Sequence, residues 1–230
     1  MFCHWHFLFL TYLCGVSDVF KTIEAAATGE FKDRGSKFLA FAYPVKTEEA
    51  ALAYLEALRK THFKANHHCF AWRLGLDGTR YRANDDGEPS GTAGRPILGQ
   101  IDAFGLTDVA IIVVRYFGGT LLGASGLIQA YRESAADALR QAVVVEKIVK
   151  NKLLLDFDYA LMPEVMNALK KLDLEIYDQI YDDRGRLEIG IRQSETKAKL
   201  LLLKAGVWKV SAEEANVLDW PAGMRVTEVV

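Results

Sequence analysis

The sequence predicts an α+β fold divided into two domains, and three observations lead to this prediction. First, a β-branched run at 111–114 is followed by Gly118 and Gly119 and then by a helical pattern, which is typical of a buried strand, a tight turn and a helix. Second, residues 152–229 show patterns in the order β-α-β-β-α-β, the ferredoxin-like arrangement. Third, residues 143–150 separate these two patterns and indicate the connection between the domains.

The composition is that of a globular protein with enough apolar residues for a full core. The chain has 230 residues, of which 50% are hydrophobic, and a net charge of −2 from 28 basic and 30 acidic residues. This balance excludes the global basicity of a histone-like protein, so nucleic-acid binding would require a local basic patch. The cysteines Cys3, Cys14 and Cys69 form no C-x-x-C motif, which favours a cytoplasmic location.

We predict an N-terminal extension at 1–17, a first domain at 18–146 and a second domain at 150–230. The apolar start of the chain is too short to cross a bilayer, and it lacks the features of a signal peptide. We therefore expect no membrane partner. We interpret residues 1–15 as the product of a start codon assigned upstream of Val16.

The first domain is predicted to alternate strands and helices. Its predicted elements are strands at 36–44, 66–74, 79–82 and 108–117 and helices at 47–60 and 123–142, whereas the segment at 22–28 shows only weak patterning. Thr47 is placed to cap the first of these helices, which has acidic residues in its first turn and basic residues in its last. The strand at 108–117 is apolar on both faces, which predicts a position in the middle of the sheet. The helix at 123–142 is expected to turn Ile128, Tyr131 and Ala135 inward.

The segment at 84–96 is rich in turn-forming residues. Its hydroxyl groups and its accessible backbone N–H groups are suited to an anion, with Arg95 nearby. A short helix is predicted to follow at 96–104, capped by Ser90 or Thr92. One interpretation is a ligand-binding loop. The other is a long connection that uses its glycines only for positive φ angles.

The glycine turn at 118–126 also has two interpretations. Strand-to-helix turns collect backbone N–H groups and the positive helix end at one place, which favours an anion. Gly123 and Gly126 are alternatively placed for close packing of the helix on the sheet. The turn lacks the Gly-Lys-[Ser/Thr] of a Walker loop and the glycine spacing of a dinucleotide-binding motif, so the sequence predicts no nucleotide cofactor of those kinds.

His67 and His68 are adjacent on a predicted strand, so their side chains point to opposite faces. Their spacing matches no common zinc pattern, and we predict no metal site. We expect one of the two histidines to pack inside and the other to line a groove.

The second domain supplies the ferredoxin-like pattern. Its predicted elements are strands at 152–159, 175–181, 186–192 and 217–229, a helix beginning near Pro163, and a helix capped by Ser194 and ended by Gly206. The domain contains no cysteine, which excludes an iron–sulfur cluster bound by its own thiolates.

Two long motifs give the chain its resemblance to a known family. The stretches DDGEPSGTAGRPIL and VVRYFGG-x3-LGASGLIQAY resemble the signature of the IMPACT/YigZ family, and the resemblance covers nearly the whole chain after about residue 18. It implies a first domain similar to the second domain of ribosomal protein S-five and a second domain similar to one in elongation factor G. Eukaryotic family members are implicated in restraining a kinase that controls translation initiation.

The resemblance implies a regulator of translation that binds RNA, the ribosome or a translation-associated protein, with no DNA-specific motif. We expect the two motifs to share a cleft lined by Asp86 and Arg115. The candidate ligand or nucleic-acid contacts are His67, His68, Asp85, Asp86, Gly87, Glu88, Ser90, Gly91, Thr92, Gly94, Arg95, Arg115, Tyr116, Phe117, Gly118, Gly119 and Gly123.

Other functions stay open at this point. The acidic and histidine residues could serve acid–base or phosphate chemistry in an enzyme or a small-molecule-binding protein, although no nucleophile elbow, triad or metal signature is present and no catalytic residue is assigned. A third hypothesis is a protein-interaction module. The carboxylates Asp85, Asp86 and Glu88 argue against phosphate binding unless a cation intervenes.

Overall fold

A computed structural model describes residues 18–76 and 78–229, and within them the chain divides into two compact units. The first domain comprises residues 19–148. The second domain comprises residues 149–229 together with Asp18. The predicted extension at 1–17 lies outside the described residues.

The first domain has strands and helices in mixed order. Its elements are β1 (Val19–Ile23), β2 (Ala27–Asp33), β3 (Ser36–Pro44), α1 (Glu48–Thr61), β4 (His67–Leu74), β5 (Arg80–Asn84), α2 (Gly94–Ala103), β6 (Val109–Tyr116), α3 (Gly123–Gln141) and β7 (Val144–Ile148). Five strands form an antiparallel sheet in the order β2-β3-β6-β4-β5, and β6 is the middle strand, as its apolar character predicts.

The helices cover both faces of this sheet because its strands alternate their side chains. On β4, Phe70 and Trp72 join a core with Leu55 and Leu58 of α1. Cys69 and Ala71, which alternate with them along the strand, face the other core. That second core also contains the following α2 and α3 residues: Ile97, Ile101, Leu127, Tyr131, Ala135 and Leu139. The sheet is therefore buried from two sides.

Several local predictions for the first domain are confirmed and two are wrong. Thr47 caps α1 by accepting a hydrogen bond from the Ala50 N–H group. The weakly patterned segment at 22–28 is mostly covered by β1 and β2, and β1 pairs with β7 in a separate two-stranded sheet. Ile128 is only half-buried because the inward stripe of α3 runs through Leu127 and Tyr131.

The second domain has the ferredoxin-like topology that the sequence predicts. Its elements are β8 (Lys150–Phe157), α4 (Met162–Lys171), β9 (Glu175–Tyr181), β10 (Gly185–Arg192), α5 (Thr196–Trp208), α6 (Ala212–Val217) and β11 (Met224–Glu228). The strands form one antiparallel sheet in the order β11-β8-β10-β9. The two-domain α+β fold class is therefore confirmed.

Three predictions for the second domain are wrong in detail. The hydroxyl of Ser194 does not cap α5, because it donates to the Asp18 carboxylate at 2.6 Å. The helix continues past Gly206 and ends at Trp208, followed by Lys209 with a φ of 58°. Residues 217–223 do not form a strand, because α6 extends to Val217 and β11 begins only at Met224.

Candidate functional site

The loop at 84–96 begins with a tight turn. Asp86 and Gly87 have φ angles of 42° and 87°, and the side chain of Asn84 accepts a hydrogen bond from the Asp86 N–H group at 2.8 Å. Glycine adopts such angles without strain, and aspartate tolerates them better than most residues. The turn reverses the chain directly after β5 and directs the loop back toward β4.

Asp85 occupies the site that the sequence assigns to an external anion. Its carboxylate accepts hydrogen bonds from the N–H groups of Gly91, Ala93 and Gly94, at 2.8, 3.0 and 2.8 Å. Burial acts to raise the pKa of Asp85, but these three bonds and the charge of Arg95 outweigh it and hold the pKa below its usual value. The loop therefore binds its own carboxylate.

The start of α2 differs from the prediction for the same reason. The helix begins at Gly94, and no side-chain hydroxyl caps it. The Thr92 hydroxyl instead donates to the Pro89 carbonyl at 2.6 Å, and Ser90 is exposed. The Asp85 carboxylate, nine residues before the helix, supplies the acceptor for its first N–H groups.

Asp86 also serves the fold. One carboxylate oxygen accepts from the backbone N–H of His68 at 2.7 Å, and the other accepts from Arg59 at 3.0 Å. The Asp86 carbonyl oxygen lies 2.7 Å from Nδ1 of His67. A carbonyl oxygen can only accept, so Nδ1 of His67 carries the proton. Asp86 thus connects α1, β4 and the loop.

Glu88 and Arg115 form a buried ion pair between the two motifs. Their residues are 8% and 5% exposed, and Nη1 of Arg115 donates to Oε1 of Glu88 at 2.5 Å. Tyr131 of α3 donates to the same oxygen at 2.8 Å. The register of the sheet places Arg115 on β6 between Phe38 of β3 and His67 of β4. A charge-assisted bond of this kind is strong because water is excluded.

Tyr131 and Cys69 complete the buried network as neutral groups. Burial raises the pKa of the Tyr131 hydroxyl and of the Cys69 thiol, so both keep their protons. The Cys69 sulfur lies 3.0 Å from the Asp85 carbonyl oxygen and 3.3 Å from the Tyr131 oxygen. The thiol is thus a hydrogen-bonded core group, and it has no thiolate character that would make it a nucleophile.

The two motifs line one cleft of about 350 Å³, which we call the motif cleft. Its lining residues are Asn66, His67, Glu88, Pro89, Arg115, Phe117, Leu121, Leu122, Gly123, Ala124 and Leu127. The expectation of a shared cleft is confirmed, and Arg115 lines it as predicted. The prediction for Asp86 is wrong: Glu88, two residues further along the loop, provides the acidic lining.

The two adjacent histidines separate as predicted. His67 lines the motif cleft, whereas His68 packs on the opposite face at 6% exposure. Burial lowers the pKa of His68, only partly offset by the charge of Asp86. Within the residues that the structure describes, no group of three or more His, Cys, Asp or Glu side chains is arranged to hold a metal ion.

The glycine turn after β6 separates the remaining candidate residues. Tyr116 turns away from the motif cleft, and its hydroxyl lies 2.9 Å from Nδ1 of His62. A side chain at Gly118 would place its Cβ 1.9 Å from the Gly35 backbone, so this glycine allows two chain segments to touch. Gly119 and Gly123 have φ angles of 87° and 73°, and Gly123 alone of the two lines the cleft. Both glycines allow the turn.

A second hollow lies between α2 and α3, and we call it the helix groove. It measures about 420 Å³ and is lined by Gly91, Arg95, Pro96, Gly99, Gln100, Ile128 and Arg132. Arg95 and Arg132 are exposed, and neither forms a hydrogen bond or close ion pair with another described residue. Sequence reasoning missed Arg132 because this residue lies just after the second motif. Its helix, α3, is predicted only to pack against the sheet.

Comparisons with known proteins agree with the two motifs. A family model described as the Impact N-terminal domain matches residues 34–139. The IMPACT family member YvyE of Bacillus subtilis is 34% identical over 177 residues, which cover 77% of this chain and 82% of that protein. The chain belongs to the IMPACT family. A Saccharomyces cerevisiae protein described as an IMPACT homolog is 40% identical over 102 residues, or 42% of this chain and 39% of that one.

A solved structure extends the likeness to both domains of this IMPACT-family chain. It is the crystal structure of a protein described as hypothetical, 28% identical, with a TM-score of 0.64 over 92% of this chain and 98% of that one. The motif cleft and the helix groove both lie within the segment that the Impact N-terminal model matches. The described helices include none long and apolar enough to span a membrane.

Proposed function

We propose that this protein regulates translation in the cytoplasm by binding RNA through its first domain, with ribosomal RNA as the substrate class to test first. Membership of the IMPACT family supports the link to translation, because eukaryotic members of that family are implicated there. The link to their kinase is not part of the proposal. The helix groove is the observation that carries the choice of RNA as the partner.

The helix groove has the charge that a phosphate backbone requires. The guanidinium groups of Arg95 and Arg132 line it without a hydrogen bond to any described residue, and its lining residues include no carboxylate. Gly91 and Gly99 present no side chain there, which lets a backbone approach closely. Guanidinium groups bind phosphate oxygens in a two-pronged geometry, and such contacts supply most of the affinity of non-specific nucleic-acid binding.

The acidic loop does not oppose this proposal. Asp85 is surrounded by backbone N–H groups, Asp86 is bound to Arg59, and Glu88 is bound to Arg115. Each carboxylate therefore has a local partner that offsets its charge. The expected repulsion of phosphate by these three residues is correspondingly weaker than the sequence alone implies.

The test is co-sedimentation of the protein with ribosomes at low and high salt. The informative variant is the double substitution Arg95→Glu, Arg132→Glu. Because both side chains are exposed, we expect this double substitution to have little effect on folding. Arg225→Glu is the matched control, because Arg225 is exposed on β11 of the second domain and also forms no ion pair with another described residue. Arg115 is unsuitable as the test residue because it is buried against Glu88.

We expect wild-type protein and Arg225→Glu to sediment with ribosomes at low salt and to be released at high salt. The double variant should stay in the supernatant at both salt concentrations. Association that is unchanged in the double variant, or that survives complete digestion by nuclease, would contradict RNA binding through the groove and would favour a protein-interaction module.

A further inference from the structure

We propose that the motif cleft binds one unpaired nucleobase of the RNA. This inference rests on the proposed function and extends it, because it assigns a ring-binding site separate from the phosphate-binding groove. The inference rests on two features of the cleft. Some of its hydrogen-bond donors and some of its acceptors have no partner in the part of the chain that the structure describes, and an exposed aromatic ring lies beside them.

The acceptors are Glu88 and His67. Oε1 of Glu88 receives both Arg115 and Tyr131, while its second oxygen, Oε2, has no hydrogen bond to any residue in the described ranges. The Nδ1 proton of His67 is directed to the Asp86 carbonyl, so in the imidazole tautomer that this bond selects the lone pair is on Nε2. Nε2 lies 3.9 Å from Oε1 of Glu88, which places both acceptors at the same part of the cleft.

The donors are Arg115 and Asn66. Nε of Arg115 is buried and has no hydrogen-bond partner among the described residues, although the residue is only 5% exposed and lines the cleft. A buried donor without an acceptor is costly, and a ligand acceptor would relieve that cost. Oδ1 of Asn66 accepts from the Phe117 N–H group at 3.1 Å, which leaves its Nδ2 group available.

Donors and acceptors in close alternation match the edge of a nucleobase, which carries amino and ring N–H donors beside carbonyl and ring-nitrogen acceptors. A phosphate group only accepts hydrogen bonds and is negatively charged, so the carboxylate of Glu88 would repel it. A metal ion would be repelled by the positively charged guanidinium group of Arg115. The paired charges of the cleft therefore favour a neutral polar ring over either ion.

The apolar side of the cleft fits a flat ring. Phe117 is 46% exposed, and Leu121 beside it is 82% exposed. The guanidinium of Arg115 lies 5.7 Å from the centre of the Phe117 ring, which holds the ring at the cleft. A cavity of about 350 Å³ is at the small end of ligand sites, which suits one ring system and excludes a dinucleotide.

The experiment measures binding of free nucleosides and of RNA to the full chain. Saturation-transfer NMR reports contacts of guanosine, adenosine, cytidine and uridine with the protein, and fluorescence anisotropy reports binding of a labelled single-stranded RNA. The test variant is Phe117→Ala. Its control is Phe63→Ala, since Phe63 is 74% exposed and does not line the cleft. Leu121→Glu is a second cleft variant at a site too exposed to affect folding.

We expect at least one nucleoside to bind the wild type and the Phe63→Ala variant. Phe117→Ala should weaken nucleoside and RNA binding by roughly 5- to 150-fold, the range for the loss of one base–aromatic stack. Leu121→Glu should weaken both as well. An RNA that lacks a single base should bind the wild type less tightly than its intact counterpart.

Equal nucleoside binding by the Phe117→Ala and Phe63→Ala variants would overturn the inference, as would the absence of nucleoside contacts in the wild type. The two proposals fail separately. RNA binding that depends on Arg95 and Arg132 but ignores Phe117 would retain the proposed function and reject the base site. Nucleoside binding in the cleft without any RNA or ribosome association would retain the site and reject the function.

Discussion

The motif cleft and the helix groove hold their arginines in opposite ways. In the cleft, Arg115 is 5% exposed and its charge is balanced by Glu88 at 2.5 Å. In the groove, Arg95 and Arg132 are exposed, and neither forms a salt bridge with a described carboxylate, although the charge of Arg95 still acts on Asp85. The loop at 84–96 contributes to both hollows, so one segment of chain borders two different electrostatic environments.

This difference gives the arginines different roles: the buried Arg115 supports the structure, whereas the exposed Arg95 and Arg132 act through long-range electrostatics. A buried ion pair fixes geometry, and its removal leaves an uncompensated charge in a medium of low dielectric constant. Exposed cations add little to stability, but they attract a polyanion over roughly 10 Å in moderate salt. Of the arginines that the sequence motifs single out, we therefore propose Arg95 as the phosphate contact, whereas Arg115 binds Glu88 in the cleft.

The largest expected effect comes from breaking the buried pair. Arg115→Gln should lower the free energy of unfolding by about 3–5 kcal/mol, because it leaves the Glu88 carboxylate buried with Tyr131 as its hydrogen-bond donor. Arg95→Gln in the groove should change it by less than about 0.5 kcal/mol. Urea unfolding of the two variants measures both values.

The matched control is a double-mutant cycle. Glu88→Gln combined with Arg115→Gln should cost less than the sum of the two single substitutions, because no charge is then left unpaired. Additive losses would show that the pair is not coupled. A loss as large in Arg95→Gln as in Arg115→Gln would contradict the distinction between cleft and groove.

Gly118, which follows the cleft residue Phe117 in the chain, and Gly99 of the helix groove should also respond in opposite directions to substitution by alanine. Gly118→Ala would push Cβ to 1.9 Å from the Gly35 backbone, and we expect a loss of about 2–4 kcal/mol. Gly99 lies within α2, and a methyl group added there would have no neighbouring atom within 4 Å, so Gly99→Ala should stabilise the protein by about 0.5–1 kcal/mol. Thermal unfolding of the two variants compares them, and equal shifts in the midpoint would contradict this difference in packing.

A smaller effect concerns pH. The pKa of Asp85 is held below its ordinary value in the folded state, so its contribution to stability is complete above about pH 4 and is lost as pH falls through the folded-state pKa. Asp85→Asn should therefore be less stable than the wild type at pH 7. The difference between them should shrink at pH 3. Urea midpoints at the two pH values test this, and a difference that grows toward low pH would refute the assignment.

Most of the fold can be predicted from the sequence because its strong signals are local. Alternation, apolar periodicity and end residues place β3, α1, β4, β6 and α3 within a few residues of their observed bounds. The strands β1 and β2 escape prediction because their stability comes from distant partners. Gly29 on β2, for example, lies against the backbone of Ala138 on α3, a proximity that no local pattern encodes.

The candidate site can be predicted in location but not in chemistry. The motifs identify the cleft. Their carboxylates suggest groups that bind a ligand, but Asp85 and Asp86 accept hydrogen bonds from backbone N–H groups of the protein itself. Sequence spacing gives no information on which N–H groups a side chain will reach across 6 to 18 residues. Tyr131 is predicted only as a core residue, and its hydrogen bond to Glu88 depends on the tertiary packing.

The salt dependence of RNA binding tests the central claim most directly. Anisotropy with a labelled single-stranded RNA should give a linear fall of log K with log salt concentration for the wild type. Replacing both Arg95 and Arg132 with glutamine should reduce the slope by about 0.7 for each phosphate that is no longer neutralised, while Phe117→Ala should lower affinity at every salt concentration without changing the slope. The opposite result would contradict the assignment of phosphate to the groove and of the base to the cleft. In that case Phe117→Ala would reduce the slope, and the double substitution of Arg95 and Arg132 would leave it unchanged.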